Sequence, residues 1–91
     1  MNDKEILKNE NILKYILEHD DCENTMIILG FADAYLGTTT KKPVRVVYDY
    51  WKCLDSLITE GGWEFDEGIE YLDELIEEDF GDGTPLYIKQ L

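Results

Sequence analysis

No lysine or arginine occurs between Cys53 and Ile88. A stretch that long without a cation cannot hold phosphate by charge, which argues against direct nucleic-acid binding by this part of the chain. Cys22 and Cys53 are the only cysteines, enough for one bridge but not for a disulfide framework. The cytoplasm, where thiols stay reduced, is therefore the expected location. Met1 to Glu5 is mixed in charge and gives no apolar signal-peptide core. No apolar run approaches the roughly 20 residues that a membrane-spanning helix needs. His19, Cys22 and Cys53 fall short of the four closely spaced ligands of a structural zinc site. As a nucleophile and base, the same residues lack a third member and an oxyanion site. No repeat or low-complexity linker interrupts the chain.

What the chain does have is acid. Eleven carboxylates lie between residues 60 and 82: Glu60, Glu64, Asp66, Glu67, Glu70, Asp73, Glu74, Glu77, Glu78, Asp79 and Asp82. They supply most of a formal charge of −13. A field this lopsided attracts basic surfaces and repels nucleic acid. An apolar fraction of 44% with eleven aromatic residues belongs to a folded domain and not to a disordered acidic tail. Ninety-one residues make one domain.

The pattern of residues predicts an α+β fold. Asn2, with Glu5 three positions on, forms a capping box for a first helix. Its apolar positions are Ile6, Leu13, Ile16 and Leu17, with Ile12 beside them, and it fades near residues 19–21. Met26 to Phe31 is an apolar run too short to assign. Ala34 to Thr40 and Val44 to Tyr48 read as a hairpin around Lys41-Lys42-Pro43, with Pro43 leading the second strand. Asp49 caps a second helix, with Trp51, Leu54, Leu57 and Ile58 inward and Gly61-Gly62 as its stop. A third helix runs from Glu64 to Phe80 with Phe65, Ile69, Leu72, Ile76 and Phe80 as its core stripe and Leu75 on the shoulder. Gly81 ends it. Leu86-Tyr87-Ile88 forms a final strand that joins the hairpin. The sheet then has three strands, with the helices on one face.

Four blocks in this order carry a resemblance. They are Asp33-Ala34-Tyr35-Leu36-Gly37; Arg45-Val46-Val47-Tyr48-Asp49-Tyr50, with Lys52, Cys53 and Leu54; Gly68-Ile69-Glu70-Tyr71-Leu72; and Gly83-Thr84-Pro85-Leu86-Tyr87-Ile88. Over residues 33–88 the chain resembles a family of small uncharacterised phage and prophage proteins. That resemblance implies a phage-encoded protein working inside a bacterial host, and brings no catalytic residue with it. On this reading residues 26–88 are the family-like core and 1–24 an N-terminal helical extension of the single domain. Gly68 stands where the family favours alanine, at an expected cost of roughly 0.5–1 kcal/mol in a helix interior. Glu64 replaces a serine cap, and Glu77-Glu78-Asp79 replaces an apolar segment.

The resemblance and the charge together point to an inhibitor of the DNA-mimic or anti-CRISPR kind. The chain is not expected to be an enzyme, and no cofactor is implied. The expected partner is the basic surface of a host nucleic-acid-binding protein, with self-association as a further option. Glu64, Asp66, Glu67, Glu70, Asp73, Glu74, Glu77, Glu78, Asp79 and Asp82 are the candidate binding residues, with Trp63 as an aromatic anchor. The rival reading is a small accessory or oligomerisation module whose acids merely solvate a helix face. Asp79 and Asp82 lack the spacing of a calcium loop, and Asp79-Phe80-Gly81 lacks the other loops of a kinase. Lys41, Lys42 and Arg45 form the local basic cluster, read as protection of a sheet edge.

Overall fold

The computed structural model describes residues 3–18 and 25–90. The Asn2 cap, the helix end at residues 19–21, and both His19 and Cys22 lie outside them, as do the side chains of Ile16 and Leu17. The elements run α1 (Asp3–Leu17), a short 3-10 turn (Ala32–Ala34), β1 (Tyr35–Thr38), β2 (Val46–Asp49), α2 (Tyr50–Thr59), α3 (Phe65–Glu77) and β3 (Leu86–Ile88). The expected α+β order is present. β2 is central, antiparallel to β1 and parallel to β3.

Strand register separates two faces. Tyr35 and Tyr87 pair with Tyr48, so all three share one side of the sheet. Tyr48 and Val46 are fully buried there, and the Tyr48 ring stacks on Tyr87 and meets Phe31 edge-on. Cys53 and Leu54 of α2, Leu72 of α3 and Ile12 of α1 complete this core. Val47, Leu86 and Ile88 occupy the opposite side, where Leu86 and Ile88 remain exposed. Gly37 sits at a register shift in β1 with φ of 152°, a backbone state that glycine adopts without strain.

The strands are shorter than expected. Thr39 turns out of the ladder, donating its N–H to the Arg45 carbonyl and accepting the Arg45 N–H at its hydroxyl. Pro43 therefore lies in the turn and does not begin β2. The Met26–Phe31 run is neither helix nor strand. Its Ile28 N–H donates to the buried Tyr48 hydroxyl at 2.9 Å, and its Met26 N–H to the Gly83 carbonyl.

α1 buries a different face from the one its apolar spacing predicts. Ile6 and Leu13 are exposed, whereas Glu5, Asn9 and Ile12 are buried. The Glu5 side chain, 3% exposed, accepts the N–H groups of Gly30 (2.9 Å) and Ala32 (3.0 Å) and the Asn9 amide (3.1 Å) with one oxygen. A buried polar group is tolerated when it is satisfied in this way. Lys8 adds an ion pair to Asp33. The helix is thus fastened to the turn that leads into β1.

Asp49 caps α2 as expected, its Oδ1 accepting from Trp51 N at 2.9 Å and Lys52 N at 3.2 Å. The buried residues of α2 are Tyr50, Cys53, Leu54 and Ser56, while Trp51 is exposed. Gly62, with φ of 71°, turns the chain into α3. α3 stops at Glu77, three residues short of the predicted end. Glu77, Glu78 and Asp79 would all crowd the negative end of the helix dipole. Glu78 is extended instead, and the Asp79 carboxylate accepts the Gly81 N–H at 2.8 Å. Of the predicted stripe, Leu72 is fully buried and Ile69 and Leu75 pack against the core, but Phe65, Ile76 and Phe80 are exposed. Gly68 explains the close approach of α3 to α2: a Cβ there would lie 2.9 Å from Cδ1 of the buried Leu54.

Candidate functional site

Six of the predicted site residues, Asp66, Glu67, Glu70, Asp73, Glu74 and Glu77, lie on α3. At about 100° per residue they fall within an arc of about 120°. Gly68, Leu72 and Leu75 lie on the opposite arc, facing the core. All six acids are exposed. Successive acids average about 3.3 Å along the axis, close to the rise between phosphates of one B-DNA strand.

Two of these acids also have structural duties. The Glu67 carboxylate accepts the backbone N–H of Glu64 at 3.3 Å, closing the first turn of α3. Asp73 accepts the Tyr50 hydroxyl at 2.9 Å, bridging α3 to α2. Burial, and then this carboxylate, push the Tyr50 phenol above its ordinary value. Glu64 precedes the helix as its N-cap, and Glu78 follows it as the C-cap. Asp79 and Asp82 belong to the turn before β3, where Thr84 also holds Phe80 N at 2.8 Å.

Trp63 stands at the edge of this face. Its ring contacts Tyr71 with centroids 4.9 Å apart, and the two residues are 37% and 39% exposed. With Glu67, Glu70 and Glu74 they line a shallow notch of about 250 Å³. Gly61 lets the turn pass close to α2 and the indole, since a Cβ on it would lie 2.7 Å from both the Leu57 carbonyl oxygen and Trp63 Cδ1. Tyr71 lies outside the apolar stripe of α3. Its place four residues after Glu67 and three before Glu74 already sets it beside the acids on a helix surface.

The cations lie elsewhere. Arg45 is not part of a free basic tip: its guanidinium donates to the Thr84 carbonyl at 2.8 Å and ties the hairpin to the approach of β3. Lys89 sits 4.6 Å from the Tyr50 ring centroid and 5.5 Å from that of Trp51.

A larger hollow of about 480 Å³ opens between Leu29–Phe31 and the end of α2, with Ser56, Glu60 and Tyr71 as its polar side chains. Burial pushes the Cys53 thiol up to about 12, which leaves it protonated and unreactive at neutral pH. Among the described residues no group of three or more His, Cys, Asp or Glu side chains converges on a possible metal position. No helix among them is long and apolar enough to cross a membrane. What the α3 face offers is a dense row of oxygen acceptors beside an aromatic pair, an arrangement suited to cations. Comparison with protein-family models, with curated proteins and with solved structures finds no match.

Proposed function

We propose that this chain is a phage-encoded acidic interaction protein that inhibits a host nucleic-acid-binding protein by occupying its basic groove. This is the action of a DNA mimic, and an anti-CRISPR or other anti-defence role is the setting that suits it. The supporting observation is the single-sided row of exposed carboxylates on α3, whose average axial density is close to that of phosphates on one DNA strand, in a stretch with no lysine or arginine from Leu54 to Ile88. The four-block resemblance to phage and prophage proteins supplies the biological setting. A basic groove that holds nucleic acid would be drawn to this face, and salt would weaken the attraction over about 8–10 Å.

The test uses Glu70→Lys, Glu74→Lys and Glu77→Lys together. Asp73 is left intact because it holds Tyr50. The parent protein should capture a nucleic-acid-binding protein from bacterial lysate, less so as salt rises, and displace labelled duplex from it. The triple variant should fold and fail in both respects. Equal capture by the variant, indifferent to salt, would end the proposal.

A second reading has its own observation. Leu86 and Ile88 are exposed on the outer side of the sheet beside half-buried Val47. An oligomerisation module would use that side, and concentration-dependent sedimentation of the triple variant would reveal it.

A further inference from the structure

Charge alone draws the acidic face to any basic groove and does not distinguish one from another. We infer that the notch formed by the Trp63–Tyr71 pair and the neighbouring acids of α3 is a socket for an arginine side chain of the partner protein. The inference rests on the acidic-face reading and adds a residue-level contact to it.

Three observations carry it. First, the aromatic pair is packed together at the surface: its ring centroids lie 4.9 Å apart, and each residue is more than a third exposed. The indole packs closely over Gly61, and the Trp63 backbone N–H fixes the turn by donating to the Leu57 carbonyl at 3.1 Å. Second, Glu67, Glu70 and Glu74 line the same notch, so aromatic faces and carboxylates meet a ligand together. Third, charge complementarity selects the occupant. The notch is lined by carboxylates and aromatic rings in a stretch without lysine or arginine, so a cationic side chain is its complementary occupant.

Arginine suits this arrangement better than lysine. Its planar guanidinium stacks on an aromatic face while its fixed fork of donors reaches carboxylates in the plane. A lysine ammonium is a compact, strongly hydrated charge that gains less from stacking. Arginines that grip phosphate in a nucleic-acid site have the geometry needed here.

The experiment isolates Trp63 by carrying Trp51→Phe throughout. Trp63 emission is followed as the protein is titrated with a short arginine-rich peptide and with its lysine-for-arginine counterpart. The expected result is a change in Trp63 emission and several-fold tighter binding of the arginine peptide. Trp63→Ala, followed by anisotropy of a labelled peptide, should remove that preference while leaving weak, salt-sensitive binding of both peptides. Tyr71→Ala, which deletes the other ring at an exposed position, should act in the same direction; circular dichroism verifies that each variant is folded. Equal binding of the two peptides, unaffected at Trp63, would overturn the socket and leave the acidic face standing. Failure of both peptides to bind would overturn the socket and the acidic-face reading together.

Discussion

Replacing Glu5 tests how far α1 belongs to the fold. Its carboxyl oxygen accepts three donors, and two of them, from Gly30 and Ala32, come from the turn ahead of β1. In Glu5→Ala the Ala32 N–H is left in a buried site without its acceptor, at a cost of about 1–3 kcal/mol. The Asn9 amide also loses a bond, and the Glu5 stem its packing, for about 1 kcal/mol each. Gly30 is partly open to water and recovers most of its share. Relief from burying the carboxyl group offsets part of the loss. The net expectation is about 3 kcal/mol, or a fall in Tm of roughly 12–24 °C for a domain of this size. Glu5→Gln keeps an oxygen acceptor in place and should lose about 1 kcal/mol, as a neutral acceptor replaces a charged one. Urea denaturation followed by circular dichroism gives both numbers. If Glu5→Ala costs less than about 0.5 kcal/mol, the size of an ordinary surface substitution, α1 is a dispensable extension and the reasoning fails.

Gly68→Ala sets helix propensity against space. Alanine favours the helix by about 1 kcal/mol, but its methyl would push into Leu54, and overpacking costs about 1–3 kcal/mol. A net loss of about 1 kcal/mol is expected on urea denaturation, and a gain would show that α2 and α3 do not approach so closely. Alkaline pH gives another check. Burial pushes both the Tyr48 hydroxyl and the Cys53 thiol up to about 12 from ordinary values of 10.0 and 9.0. Their contribution is complete below about pH 9, and across about pH 9–12 the unfolded chain releases protons that the folded chain keeps. Stability measured by urea titration should therefore fall as pH rises through that window, and a flat profile would refute the burial of both groups.

Much of the architecture was legible because local chemistry and the fold agree. Asp49 caps a helix wherever its backbone is extended, Gly61-Gly62 stops one, and Leu86-Tyr87-Ile88 reads as a strand on composition alone. The inward face of α1 was not legible. Periodicity follows apolar residues, whereas Glu5 is buried to serve N–H groups some 25 residues downstream, and the buried Asn9 amide donates to Glu5. The end of α3 was missed because the apolar stripe runs on to Phe80. Three successive acids and the Asp79 side chain, which favours a turn, override it. At the candidate site the row of acids was plain in the sequence, but their separate duties were not. That Asp73 holds Tyr50 and Glu67 closes a helix turn depends on neighbours that only the fold supplies. The pairing of Trp63 with Tyr71 likewise depends on how the glycine turn folds back.

Because β3 lies parallel to β2, the chain cannot return by a tight turn. It must leave the sheet at Asp49 and come back at Leu86 by way of α2 and α3. All eleven clustered carboxylates travel on that excursion. Before folding, mutual repulsion swells this tether and holds its ends apart, so closing the third strand means compressing a polyelectrolyte loop. Added salt relieves that compression first, and should speed the docking of β3 by more than it strengthens the finished fold. So acidic an excursion thereby makes the assembly of the sheet dependent on counterions.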